Sequence, residues 1–247
     1  MATTISNFTG QFPQTSQFDS NTPDIKALYH LESDATATVG DSLTSFAKNT
    51  EGVSNFDNYG LFGKCWYVQS RFNNSEFGGT VYYKSGAVSS WDWSSSGTTY
   101  SIWHKHGATN PTPARVLFGY DQSAGSVVFY VGINSTTKQY TWNIWNSTLS
   151  ISIQFSSDTT LVDPTDGKWH NIMCVSESAS SHSFYIDGVL HDFSSTNIGS
   201  VSPAYNATLG GFDGGGQLYG LWGYLDEFAI IDRGLTSTEA YAYGGSL

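Results

Sequence analysis

The sequence predicts an all-β protein: an antiparallel sandwich of two sheets with jelly-roll connections, preceded by a short N-terminal arm. Three observations lead there. Aromatic residues make up 15% of the 247-residue chain and charged residues only 13%, a composition suited to pleated, half-buried surfaces, and the helix formers Glu, Lys and Met are scarce. Twenty-six glycines and long Ser/Thr-rich stretches supply tight turns. Short β-rich runs also recur with turn signals between them, at the spacing of a sandwich or barrel.

The elements follow in order. Residues 1–22 are polar, contain Pro13, end against Pro23 and show little alternation, so they are read as an arm or linker before a single domain over 23–247. The first strand-like runs are IKALYHLE at 25–32, GKCWYVQ at 63–69, GTVYYK at 79–84, TYSIWHK at 99–105, ARVLFGY at 114–120 and SVVFYVGI at 126–133. They continue with YTWNIWN at 140–146, LSISIQF at 149–155, KWHNIMCVSE at 168–177, SFYIDGVL at 183–190 and GYLDEFAII at 223–231. In 149–155 every second side chain is apolar, so one face meets a core and the other meets water. One helical turn is expected near the end, where Thr236-Ser237-Thr238-Glu239 offers a cap followed by Ala240 and Tyr241.

Charge narrows the partners. A formal net charge of −11 with ten Lys and Arg argues against nucleic acid and against an anionic membrane, since both require basic clusters; a neutral or cationic ligand fits better. No run approaches the roughly 18 apolar residues of a membrane span, and the first residues lack both the basic start and the apolar stretch of a signal peptide. Cys65 and Cys174 lie in strand-like contexts and are expected as buried thiols packed as small hydrophobes, with a disulfide as the alternative.

Asp166-Gly167-Lys168-Trp169-His170-Asn171-Ile172, followed by Ser183-Phe184-Tyr185-Ile186-Asp187-Gly188, reads as a turn, a half-buried strand and a hairpin with Asp-Gly at its tip. These segments resemble a signature of laminin-G-like and concanavalin-A-like lectin/glucanase domains, a D-G-x-W-H strand and then a Y-I-D-G strand. Ile25 to Glu32 looks like the family's opening strand and Phe62-Gly63-Lys64 like its F-G-K element. Gly223-Tyr224-Leu225-Asp226-Glu227-Phe228 looks like its closing strand, and Gly234-Leu235-Thr236 through Glu239 like its tail. The resemblance runs over about residues 25–245 and is weakest over 85–165, whose strand order the sequence leaves unread.

The resemblance implies a concanavalin-A-like sandwich and a binding or adhesion role. Glucanases of this fold carry E-x-D-x-x-E, whose two Glu must stand about 5–5.5 Å apart for retaining hydrolysis. Here Glu32-Ser33-Asp34-Ala35-Thr36-Ala37 lacks the second Glu, and no G-x-S-x-G turn surrounds any Ser, so the chain is expected not to be an enzyme. Domains of this family often hold calcium, which takes six to eight oxygens. The resemblance points to Asp226, with Glu32 or Asp41, as its ligands.

Sugar recognition rests on exposed aromatic rings flanked by polar side chains. The candidates are Trp91, Trp93, Trp103, His104, Trp145, Asp213, Tyr219 and Trp222, near loops or polar strands. Trp91 and Trp93 fall on one side of the chain if their segment is extended. Trp142 and Trp145 fall on opposite sides, one toward the core and one toward the surface, while Trp66 and Trp169 are read as core. The leading expectation is a non-catalytic, extracellular recognition domain whose partner is a glycan or cell-surface carbohydrate. The alternative is a structural or decoration protein of a phage virion, whose N-terminal arm attaches it to other virion or surface proteins.

Overall fold

The computed structural model of the chain describes residues 18, 24–40, 42–48, 53–69, 71–73, 76–84, 97–107, 115–121, 129–146, 150–199, 206–213 and 218–245. Among them two antiparallel sheets pack face to face. The first runs, in spatial order, β14 (Val189–Ser194), β13 (Ser181–Ile186), β12 (Trp169–Ser178), β7 (Thr98–His106), β18 (Trp222–Ile231), β4 (Cys65–Gln69) and β3 (Val53–Asp57). The free half of β18 pairs with β1 (Ile25–Tyr29). The second sheet runs β11 (Ile151–Ser156), β10 (Tyr140–Asn146), β9 (Phe129–Ile133), β8 (Arg115–Asp121), β15 (Asn206–Leu209), β6 (Glu76–Lys84) and β2 (Thr44–Lys48), with β5 (Arg71–Asn73) on β6. A small hairpin of β16 (Gly211–Asp213) and β17 (Leu218–Gly220) and the helix α1 (Ser237–Gly244) complete the described elements.

The expected strand runs all contain strands. Those at 44–48, 53–57, 71–73, 206–209, 211–213 and 218–220 lie outside the expected runs; their sequences carry Ser, Asn and Gly in place of a β-branched run, and sheet partners rather than local propensity hold them extended. The Asp-Gly tip behaves as expected: Asp187 and Gly188 have φ of 51° and 72° and join Ile186 to Val189 across a two-residue turn, the geometry that matches strand twist.

Alternation sorts the side chains. Trp66, Val68, Tyr100, Ile102, Phe118, Tyr140, Trp142, Ile172, Phe184 and Leu225 fill the space between the sheets. Trp142 stacks on Phe155 at 4.5 Å, while Trp145, three residues on, is half-buried on the other face of β10. Trp66 is core, as read from the sequence. Trp169 is not: His170 beside it is buried, so the strand's alternation turns Trp169 outward and leaves it half-buried. Cys65 and Cys174 are both buried and unbonded.

A second apolar cluster lies on the outer face of the first sheet, where Leu28, Met173, Val175, Tyr185, Ala229 and Ile231 are covered by Phe18, Leu235 and Ala240. Thr236 and Glu239 form the capping box that starts α1. Glu239 also takes both terminal nitrogens of Arg233, at 3.0 and 2.8 Å, and Arg233 reaches Asp24 at 3.0 Å. The helix is thereby tied to the start of β1.

Phe18, within the segment read as an arm, is 1% exposed and sits 4.8 Å from Tyr243 on α1. The fold therefore extends at least to Phe18. The Phe18→Ala variant is expected to lose about 3 kcal/mol of unfolding free energy in denaturant titration, the usual cost of emptying a buried Phe site; a loss below about 1 kcal/mol would show that the ring contributes little.

Candidate functional site

The sequence motifs meet one another in space. His170, buried on β12, is held between two carboxylates: Nδ1 donates to Asp187 Oδ2 at 2.7 Å and Nε2 to Asp166 Oδ1 at 3.1 Å. Burial alone would depress its pKa, but the flanking Asp187 and Asp166 outweigh it and raise His170 above the ordinary histidine value. Asp187 Oδ1 also accepts the Asn171 N–H at 2.8 Å. The D-G-x-W-H and Y-I-D-G segments are thus one clamp, pinning the turn before β12 to the turn after β13.

A second clamp is built on β18. Asp226 is 1% exposed, and its Oδ2 accepts the N–H groups of Leu61 and Phe62 at 2.8 and 3.1 Å. Its Oδ1 is buried with no hydrogen-bond partner among the described residues. Burial, reinforced by neighbouring Glu227, pushes the Asp226 carboxyl up to about 8. Glu227, at φ 46° within a bulge of β18, accepts from His30 Nδ1 at 2.8 Å. Consecutive acids of the closing strand therefore secure the F-G-K turn and the end of the opening strand.

Beyond these clamps, the outer face of the first sheet presents a row of rings. Neighbouring strands put Asn55, Tyr67, Tyr224, Lys105 and Trp169 in register across β3, β4, β18, β7 and β12. All point away from the core, because Trp66, Leu225, Ile102 and Ile172 occupy the inward positions. Asn55 is exposed and the other four are half-buried. The Tyr67 and Tyr224 rings lie 4.8 Å apart with planes inclined by 41°; Trp169 and Tyr224 are 6.4 Å apart, inclined by 60°. Lys105 Nζ stands 5.8 Å from the Tyr224 ring centre. Burial, with the Tyr67 phenol and Asp57 carboxylate nearby, raises the Tyr224 hydroxyl above the ordinary tyrosine value, so it remains a hydrogen-bond donor. Tyr59, 68% exposed, borders the row.

Of the residues singled out from sequence, Trp222 joins this face, two residues before Tyr224 and half-buried. Its indole lies so close to Gly107 that a Cβ there would sit 2.5 Å from the ring, so only glycine fits at position 107. Trp103 is on the same face but 2% exposed, beneath Phe62 at 5.9 Å. His104 points between the sheets, fully buried, and shares a 2.8 Å hydrogen bond with the Tyr140 hydroxyl. Trp145 lies on the outer face of the other sheet, where Tyr130, Asn143 and Gln154 form a cross-strand row. Asp213 and Tyr219 belong to the β16–β17 hairpin. Trp91, Trp93 and Asp41 lie outside the described residues. Sequence reasoning missed Tyr67, Tyr224, Lys105 and Trp169, which come from four separate segments.

The family model described as the concanavalin A-like lectin/glucanases superfamily matches residues 77–240. The chain belongs to that family. No curated protein sequence matches it. Among solved structures, this concanavalin A-like chain is similar to domain 4 of AbnA, a GH43 extracellular arabinanase from Geobacillus stearothermophilus, solved with arabinotriose. The TM-score is 0.63 at 18% identity, over 90% of this chain and 98% of that one. The binding domain of Paraclostridial Mosquitocidal Protein 1 gives 0.61 at 15% identity, over 87% and 50% of the two chains. The binding domain of botulinum neurotoxin DC in complex with SialylT gives 0.61 at 14%, over 92% and 52%. The chain spans about half the length of both toxin domains, and at these identities the likenesses show the fold.

A calcium site in this concanavalin A-like domain would need six to eight oxygens. Among the described residues no three His, Cys, Asp or Glu side chains are placed to hold a metal ion; Glu32 is exposed, and one oxygen of Asp226 is already committed to two backbone amides.

The clamps set a pH dependence of stability. His170, whose pKa is raised on folding, contributes fully below about pH 6.5 and loses its contribution as pH rises through its folded value. Asp226, at about 8 when folded against about 3.9 unfolded, favours the folded state while protonated and withdraws that contribution as pH rises from about 4 to about 8. The melting temperature is expected to fall between about pH 5 and pH 9, with Asp226→Asn flattening the fall. A melting temperature that rises over that range would contradict both assignments.

Proposed function

We propose that this chain is a non-catalytic carbohydrate-binding domain whose sugar lies across the row of Tyr67, Tyr224 and Trp169. One observation carries the reading: three half-buried rings, in register on strands of one sheet, all turned to solvent. Aromatic side chains remain partly exposed at a cost in unburied apolar area, and a contiguous set of them marks a binding surface. The apolar C–H face of a sugar ring covers such rings while its hydroxyls reach the Tyr hydroxyls, Asn55 and Gln69 at the margins. The outer face of the other sheet offers Trp145 and Tyr130 without a third described ring.

Membership of a lectin/glucanase superfamily supports the reading, as do structural relatives solved with arabinotriose and with SialylT. Binding without catalysis is supported by the carboxylates. Asp226 holds a backbone turn and Glu227 holds His30, so this pair is engaged in structure, whereas glycoside hydrolysis requires two carboxyls facing a scissile bond.

The test is a glycan array probed with multivalently displayed protein. Tyr224→Ala and Trp169→Ala are each expected to weaken binding by about tenfold with little change in melting temperature, because each ring is only half-buried. Trp145→Ala is expected to leave binding intact. Loss of binding in Trp145→Ala with Tyr224→Ala unaffected would move the sugar to the other sheet.

A further inference from the structure

The aromatic row contains one cation. Lys105 pairs across the ladder with Tyr224 on one side and Trp169 on the other, half-buried, with its ammonium 5.8 Å from the Tyr224 ring centre. Taking this face as the saccharide platform, we propose that it selects a saccharide chain with an acidic group, a carboxylate or a sulfate ester, on the sugar lying between Tyr224 and Trp169.

Three other described cations are already paired with carboxylates. Lys26 is paired with Asp232, Lys168 with Asp166, and Arg233 with Asp24 and Glu239. Lys105 has no carboxylate within ion-pairing distance among the described residues, and its ammonium stands over the Tyr224 ring. An ammonium set between two rings with no carboxylate beside it can meet an incoming anion through a charge-assisted hydrogen bond. A neutral sugar would gain more from a fourth ring or an amide at this position than from a flexible lysine, whose ordering costs about 1.5–2 kcal/mol of side-chain entropy.

The surroundings confine the preference to one place. Asp57 acts on the Tyr224 hydroxyl from the β3–β4 side, so an acidic group is disfavoured toward Tyr67. Beyond Trp169, Lys168 is already neutralised by Asp166 at 3.1 Å. The chain as a whole carries −11 and repels anions at long range, but such repulsion is screened beyond about 10 Å at 0.1 M salt, whereas the contact with Lys105 is local. Strand spacing of about 4.8 Å places Tyr67 and Trp169, three strands apart, about 14 Å from each other, the length of about three sugar rings. The acidic residue is thus an inner member of a short run.

The experiment measures affinity of the full chain for polygalacturonate against its methyl ester, and for dextran sulfate against dextran, at low and at high salt. At low salt at least one acidic polymer is expected to bind about tenfold tighter than its neutral counterpart. Lys105→Gln and Lys105→Met should erase that margin without lowering the melting temperature, Lys105→Arg should retain it, and Lys64→Gln should not alter it. Equal binding of acidic and neutral polymers, no binding to either acidic polymer, or a margin that survives both Lys105→Gln and Lys105→Met overturns the inference. The platform itself is judged separately, by whether Tyr224→Ala and Trp169→Ala lose binding to whichever glycan the array identifies.

Discussion

The described sandwich depends on burying two consecutive carboxylates in its central strand. Taking a carboxylate out of water is costly unless donors replace the lost hydration. Asp226 meets that requirement with two backbone amides and by holding its proton more tightly, and Glu227 meets it with His30. The bulge between Asp226 and Ala229, which contains Glu227 at φ 46°, interrupts the regular ladder at the point where β18 changes partners. Trp222 to Leu225 pair with β4, and Phe228 to Ile231 with β1. One edge of a single strand thereby holds two segments about forty residues apart in the chain, β1 and β4, while its other edge pairs with β7 on both sides of the bulge.

Much of this architecture was legible because it is local. The period-two pattern, described over 151–155, and the Asp-Gly tip at 187–188 depend on neighbours a few residues away, and both behaved as read. The family motifs marked residues that meet across the fold, though the contacts themselves, Asp166 to Asp187 through His170 and Asp226 to the Leu61–Phe62 amides, required three dimensions. Strand order was not legible. β7 lies between β12 and β18, and nothing in the sequence of Thr98–His106 names those partners, because ladder hydrogen bonds are made by a backbone common to all residues.

The same limit applied to the candidate site. Ring-rich segments such as Trp91-Asp92-Trp93 draw attention because their aromatics are close in sequence, whereas the row is made of Tyr67, Tyr224 and Trp169, each the outward member of an ordinary strand. Trp103 and His104 sit in one promising segment, yet a covering turn buries the first and alternation turns the second inward. Trp169 was misread for the converse reason: next to buried His170 in a strongly patterned strand, it carries no local mark of which face will be covered. The second apolar cluster shows that an outward side can be buried too, since α1 and Phe18 roof one half of that sheet and leave the other half to the ring row.

The inclination of the rings has a consequence of shape. Tyr67 and Tyr224 differ in plane by 41°, and Tyr224 and Trp169 by 60°, in a sheet whose strands are expected to twist progressively. A flat, ribbon-like polymer lies in one plane and cannot rest against all three rings together. A chain that coils about its own axis turns a fresh face to each ring as it advances. Because the rings stand on hydrogen-bonded strands rather than on loops, the proposed platform has a backbone that does not flatten to suit a ribbon, and it favours a polymer that turns as it advances.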